Sequence, residues 1–328
     1  QSHHCAHDPS GWATRSGRPV MDPRRAILIL FAMGSLWGAT PPLYKLAVES
    51  GLPVYGLLFW QSALTAILLG GVMALRGGRL HLNRAALERY VVIALLGTVL
   101  PGLATYTAVD HLPASIMSIL ISTVPMMAFP IALGLGTDRF QWRRFGGLLL
   151  GLAGVLSLTL PQTALPDPAA AIWIPVVLIS ALCYASEGNY VAARGTAGLS
   201  AVEALFGASL FGAVVVLPVA VVSGDWITPV PPYTLGMGAF GLSTVLHAVT
   251  YVTYVWLVGR AGAVFTAQVG YLVTLFGVFW AWVLLGEVLS PVVWGALALI
   301  LLGVFCVQPR GRDTVASRPR GGHTDTVT

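Results

Sequence analysis

Residues 261–286 read AGAVFTAQVGYLVTLFGVFWAWVLLG, an unbroken run without one charged side chain. A helix needs about 20 predominantly apolar residues to cross the hydrocarbon core of a bilayer. A soluble helix of that length carries a charged face, and this run has none. Its residues do not alternate in polarity as the ~10-residue strands of a membrane barrel do. A helix is the other backbone that satisfies its own hydrogen bonds in lipid. The stretch is therefore read as a transmembrane helix.

Nine further charge-free runs have the same character, over residues 26–44, 50–75, 90–109, 112–137, 145–166, 168–186, 204–224, 226–259 and 288–309. Charged residues make up 9% of the chain and hydrophobic residues 56%, whereas a soluble domain is ~25% charged. The expected fold is an all-α integral membrane protein with ten transmembrane helices. The lipid bilayer is its first partner.

The charges between the runs carry orientation. Arg24 and Arg25 precede the first run. Arg76, Arg79, Arg84 and Arg89 lie between the second and third, Arg139, Arg143 and Arg144 between the fourth and fifth, Arg194 between the sixth and seventh, and Arg260 between the eighth and ninth. Arg310, Arg312, Arg318 and Arg320 follow the tenth. The alternate loops hold Glu49, Asp110, Asp167, Asp225 and Glu287 and no arginine. Positive residues mark the cytoplasmic side, so both termini are expected there, in a bacterial-type inner membrane. Because the arginines behind the net charge of +5 are spread over four loops and two ends, they are no nucleic-acid footprint.

Residues 1–25 are expected to be a disordered leader without an apolar signal-peptide core, Met21 being an alternative start. Residues 309–328 are expected to be a disordered cytoplasmic tail. The cluster His3-His4-Cys5…His7 has ligand types for a metal, but an unstructured or non-native leader is the preferred reading. Three cysteines, Cys5, Cys183 and Cys306, give no disulfide framework. No cofactor or metal is expected.

The chain also repeats itself. Gly51-Leu52 recurs as Gly198-Leu199, and Leu58, Phe59, Ser62 and Ala66 recur as Leu205, Phe206, Ser209 and Ala213. Thr98-Val99-Leu100 recurs as Thr244-Val245-Leu246. Gly146, Leu148, Leu150, Leu152, Gly154 and Val155 recur as Gly295, Leu297, Leu299, Leu301, Gly303 and Val304. The two halves, 26–160 and 170–308, each hold five helices. An odd number inverts the second copy. Inverted repeats with a site near the midplane are a common plan of secondary transporters.

At Gly34-Ser35-Leu36-Trp37-Gly38 with the downstream Lys45, and at Leu284-Leu285-Gly286-Glu287 leading to Gly295 and Gly303-Val304, the chain resembles the EamA-like ten-helix branch of the drug/metabolite transporter superfamily. Pro125 sits where members of that family often break helix 4. The resemblance spans Met21 to Val307. It implies two inverted five-helix repeats and transport, more often outward, of amino acids, other metabolites or drugs. Two departures stand out. Gly136-Thr137-Asp138 replaces Leu-Gly-Glu in the first half, and Gln61 stands where many relatives carry arginine.

Polar residues at membrane depth are expensive and mark function. Glu187 leads, within Tyr184-Ala185-Ser186-Glu187-Gly188-Asn189-Tyr190. A carboxylate there suits proton coupling or an amine substrate, or else snorkels or pairs structurally. Lys45 suits a carboxylate or phosphate, or snorkels outward. Thr40, equivalent to Glu187 under the repeat, precedes Pro41-Pro42, a candidate helix break. His247 titrates near neutrality when free, with a hydrogen-bonded core role as the alternative. Gln61 and Gln268 are candidates for substrate hydrogen bonds or for joining helices. Trp37, Trp60, Tyr106, Tyr184, Tyr190, Tyr251, Tyr254 and Tyr271 are candidates to wall an amphipathic path, with packing as the alternative. The Gly147-xxx-Gly151 spacing permits close helix approach, read as packing within the chain. Glu287 is expected to cap or orient helix 10.

There is no His-Glu-x-x-His, no Gly-x-Ser-x-Gly and no Walker lysine. The reading is a secondary transporter of a small polar or amphipathic molecule, with protons as a candidate coupling partner. An intramembrane enzyme using Glu187 and His247 on a lipid, or a non-transporting scaffold, are the alternatives.

Overall fold

The computed structural model describes residues 22–159, 165, 167–261 and 263–307, and the regular elements among them are all helices. The histidine-rich leader, Met21 and the C-terminal tail lie outside the described residues. Ten segments follow one another. α1 is Pro23–Gly38 and Thr40–Glu49; α2 is Val54–Arg76; α3 is Arg84–Ala94, a π-helical turn Leu95–Val99, and Leu100–Val109; α4 is Ala114–Ile121 and Val124–Gly134; α5 is Trp142–Thr159. α6 is a 3-10 turn Pro168–Trp173 and Ile174–Arg194; α7 is Ala201–Val222; α8 is Leu235–Ala261; α9 is the short turn Ala263–Thr266 and Val269–Leu285; α10 is Pro291–Val307. Seven segments are long and apolar enough to cross a membrane, and α9 and α10 are shorter apolar helices. The first turn of α5 is diluted by Arg143 and Arg144.

Local chemistry explains the interruptions. Pro41 has no N–H to give to the Trp37 carbonyl, four residues back. The Thr40 hydroxyl donates to that carbonyl instead, at 2.8 Å, and the helix breaks at Ala39. Pro101 likewise leaves the Gly97 carbonyl without its donor, and α3 widens into the π-turn at Leu95–Val99. α4 breaks at Ser122–Thr123, just before Pro125, where the two hydroxyls donate to Ile119 O at 2.6 Å and Leu120 O at 2.7 Å. In the second half α9 breaks at the corresponding place, Ala267–Gln268. No proline is needed there: Gln268 N donates to Phe265 O at 3.1 Å and Gly270 N to Ala267 O at 3.2 Å, in 3-10 fashion. The α1 break has no counterpart in α6, which runs unbroken through Glu187.

Packing follows the repeat. α1 lies on α8 and α9 of the other half, and α6 lies on α3 and α4. α2 meets its copy α7, and α5 meets its copy α10. Without a hydrophobic drive between helices in lipid, close van der Waals approach holds such pairs. The α5–α10 seam shows it. A Cβ on Gly147 would lie 2.6 Å from Gly303 O, and one on Gly303 would lie 2.6 Å from Gly147 O. The glycine spacing in α5 therefore serves packing within the chain.

Candidate functional site

The arginine-bearing ends of the helices form one face of the bundle, and the ends at Glu49, Asp110, Asp167, Asp225 and Glu287 form the other, here the acidic face. Between them, polar and aromatic side chains from five helices converge.

α1 supplies Tyr44, buried and one turn beyond Thr40. Its ring stands edge-on to Tyr106 of α3 at 5.2 Å. Gln61 of α2 joins the two phenols, donating through Nε2 to the Tyr44 oxygen at 3.3 Å and accepting from the Tyr106 hydroxyl at 3.0 Å. Across from them, α6 brings Tyr184 within electrostatic reach of Tyr44 and Tyr106. One turn on is Glu187. Its carboxylate lies on the π-turn of α3, and a Cβ on Gly97 would sit 2.8 Å from Oε2. The π-turn and the glycine together give the carboxylate its seat. Glu187 stands near the phenols of Tyr184 and of Tyr251 in α8. Tyr251 stacks on His247 at 6.5 Å, His247 meets Trp37 at 5.7 Å, and Trp37 meets Tyr254 at 6.0 Å. Thr40, Gln61, Tyr184, Glu187, Tyr251, His247 and Trp37 are thus brought into one continuous group. Tyr44 and Gly97 belong to it and were not singled out from sequence. Tyr44 was findable, as the residue four beyond Thr40 on the same helical face.

Other candidates are engaged elsewhere. Lys45 donates to Val109 O at 2.9 Å and Leu112 O at 3.0 Å and pairs with Glu49 at 3.2 Å. Asn189 donates to Ala185 O at 2.8 Å and Ala128 O at 3.1 Å, tying α6 to α4. Tyr190 sits in a clasp at the arginine face, donating to Glu88 at 2.6 Å and accepting from Arg89 at 2.7 Å. Arg89 also caps the end of α6 through the carbonyls of Arg194 and Gly195 at 2.9 and 2.8 Å. Gln268 stands at the α9 break, its backbone in the turn described above. Trp60 donates to Ile227 O at 2.8 Å, in a ring cluster with Phe59 and Trp226 that packs on the hydrophobic cluster around Tyr44 and Tyr106.

Glu287 does not cap α10, as the sequence suggested. It caps α4. Oε1 accepts from Ala114 N at 2.6 Å, and Oε2 accepts from Ser115 N at 2.9 Å and Ser115 Oγ at 2.6 Å. An anionic side chain at a helix N-terminus satisfies orphan N–H donors and meets the positive end of the dipole. Lys45 does the opposite at the preceding helix end, filling the last carbonyl of α3, at Val109, and that of Leu112 in the turn. The α3–α4 turn at the acidic face is therefore held from both sides. There the second half of α1 also packs on α3 and α4. No comparable packing joins α6 to α8 or α9 among the described residues, so the tight seal is on the acidic side.

A model of the EamA-like transporter family matches residues 24–160 and again residues 171–308. The uncharacterized inner membrane transporter YedA of Escherichia coli (strain K12) is 27% identical over 286 residues, covering 85% of this chain and 89% of that protein. The S-adenosylmethionine/S-adenosylhomocysteine transporter of Chlamydia trachomatis serovar L2 is 25% identical over 297 residues, covering 85% and 87%. One solved crystal structure aligns with a TM-score of 0.57 at 17% identity, over 87% of this chain and 96% of the other, a likeness of fold alone.

Proposed function

The chain belongs to the EamA-like transporter family, and on that premise we propose that it carries a small polar or amphipathic metabolite by alternating access through the space between α1, α3, α6 and α8. It is a multi-pass membrane transporter and not an enzyme. The observation that carries the proposal is the mid-depth group built from both halves, with Tyr44, Gln61, Tyr106 and Trp37 from the first and Tyr184, Glu187, His247 and Tyr251 from the second. A site shared by two inverted halves changes its exposure when one half rocks against the other. The swapped packing, with each first helix seated on the opposite half, supports such motion.

In this reading the arginine face is cytoplasmic and transport runs outward. The present arrangement, sealed at the acidic face, is the one that loads from the cytoplasm. The chlamydial relatives, named for S-adenosylmethionine and S-adenosylhomocysteine, put those two compounds first in a substrate panel. Glu187 is the coupling candidate, taking a proton in one state and releasing it in the other.

The test is flux in proteoliposomes, together with cross-linking of cysteines placed at Thr40 and Glu187. Substrate-dependent change in cross-linking and saturable flux are expected. If both positions are unreactive under every condition and no panel compound moves, the cavity assignment fails.

A further inference from the structure

The repeat is broken at one seam. Thr98 matches Thr244 and Leu205 matches Leu58, so Gly236 of α8 stands where Tyr90 of α3 does, and Trp60 of α2 where Gly207 of α7 does. At the arginine face the ring fills the seam, since Tyr90 is buried against Gly207. At the acidic face the ring is on α2 and the glycine on α8, and α8 leans on α1 instead. A Cβ on Gly236 would lie 2.5 Å from the Ser50 Cβ, at the end of α1. Trp60 turns toward the loop before α8 and donates to Ile227 O at 2.8 Å. Between α2, that loop and α8 the seam holds a cavity of about 240 Å³, walled by Trp60, Leu64, Ile227 and Phe240.

The lining selects the occupant. Among the described residues no charged side chain lines the cavity, and the Trp60 N–H is already spent. A buried water needs about two to four polar partners, and a drug-sized ligand takes roughly 300–1,000 Å³. An apolar wall with nothing against it forfeits its dispersion contacts, so a slender apolar chain suits the space best. The mouth opens toward lipid. Gly238 and Tyr233 line the cavity and are exposed. Gly238 lies three residues after Leu235 and four before Leu242, and Val245 and Val249 continue the same exposed face of α8. Residues at that spacing share one side of a helix, and the exposed apolar side of a membrane-crossing helix meets hydrocarbon. Tyr233 and Trp226, both exposed, stand at the helix end, where such rings mark the headgroup level.

We propose that this cavity binds one acyl chain of a phospholipid from the leaflet at the acidic face. The chain passes Tyr233 and Gly238 and lies against Trp60 and Phe240. Gly238 and Gly241 give it room, because a Cβ on either would meet nothing within 4 Å. The site lies outside the central group and goes beyond the transport reading.

The experiment places the full chain in phosphatidylcholine nanodiscs doped with a phosphatidylcholine that carries a diazirine midway along one acyl chain. After irradiation, adducts are mapped by mass spectrometry. Leu242 is exposed to bulk lipid, whereas Ile227 and Phe240 are only 8% and 5% exposed and are reached only from within the cavity. Adducts are expected at all three. Gly241→Phe fills the cavity and should lose the adducts at Ile227 and Phe240 while keeping those at Leu242. Gly71→Phe, on an equally open glycine that does not line the cavity, should keep all of them. Gly238→Leu decides the matter if Gly241→Phe fails to fold. Adducts at Leu242 without any at Ile227 or Phe240 overturn the inference, as do unchanged adducts at those two residues in the cavity-filling variant. Loss of the cavity adducts on adding S-adenosylmethionine also overturns it, since the cavity then belongs to the path of a soluble compound.

Discussion

Replacing Glu287 by alanine removes the cap that the second half places on α4. Three bonds go at once, two from backbone N–H groups and one from the Ser115 hydroxyl. Hydrogen bonds to a charged group contribute ~1.5–3 kcal/mol each when water cannot replace them. Glu287 is half-buried, so water recovers part of that, and removal of an N-cap side chain costs ~0.5–2 kcal/mol. A loss of about 2–3 kcal/mol is expected, or a fall of about 4–6 °C in the unfolding midpoint in detergent, at ~2 °C per kcal/mol for a chain of this size. Glu287→Gln should fall between, since it keeps one acceptor oxygen and loses the charge. Ser115→Ala in the Glu287→Ala background should cost ~1 kcal/mol less than it does alone, because its partner is already gone. The same change loosens the seal, so a cysteine at Tyr44 should label faster from the acidic side. A midpoint shift below about 2 °C, with full additivity between Glu287→Ala and Ser115→Ala, would refute the clasp.

Three further outcomes are expected. Gly303→Val drives a side chain into the Gly147 carbonyl, 2.6 Å from the added Cβ, and should abolish a monodisperse peak in size-exclusion chromatography, whereas Leu302→Val on the exposed side should not. Thr40→Val leaves the Trp37 carbonyl beside Pro41 without its 2.8 Å donor. It should lower stability by only ~0.6–1 kcal/mol, read as a thermal midpoint, with a larger loss of flux. A periplasmic reporter fused after Asp167 should be active and one fused after Val307 inactive; the reverse pattern would invert the orientation taken from the arginines.

Much of the fold was legible because lipid leaves a backbone few choices. Charge-free runs of membrane length, alternating arginines and an internal repeat suffice for ten helices in two inverted halves. The glycines of α5 were readable too, since only small residues allow helix axes so close. The site was readable in part. Glu187, Gln61, Trp37, Tyr184 and Tyr251 stood out as polar or ring residues at depth, and they converge. Lys45, Asn189 and Tyr190 have the same chemistry, yet their atoms are satisfied by backbone carbonyls or by charged side chains of neighbouring elements. Sequence spacing does not say which helix a long side chain will cap. Glu287 is the clearest case: it follows α9, precedes α10 and serves α4, a contact fixed only by tertiary packing. Gly97 was invisible for the same reason, because its value lies in a π-turn that Pro101 imposes four residues later.

The departure of the first half from Leu-Gly-Glu acquires a physical meaning from these contacts. At the acidic face Glu287 reaches across to the other half and holds the start of α4. At the arginine face the corresponding turn is Gly136-Thr137-Asp138, and its carboxylate stays at home. Asp138 accepts from Arg139 N at 2.7 Å and pairs with Arg144, while Thr137 donates to Ala132 O at 3.1 Å. Both carboxylate oxygens are used within the first half, so the turn offers α9 no counterpart to the clasp on α4. Nor does α6 have a lysine where α1 has Lys45; the matching position under the repeat is Ala192. The two halves share a fold, but their cross-half bonds differ: Glu287 holds the start of α4 at the acidic face, whereas Arg89 and Glu88 hold the end of α6 at the arginine face. In the proposed cycle, opening toward the acidic face requires three bonds to Glu287 and two to Lys45 to be exchanged. That exchange is a barrier a bound substrate must help to lower.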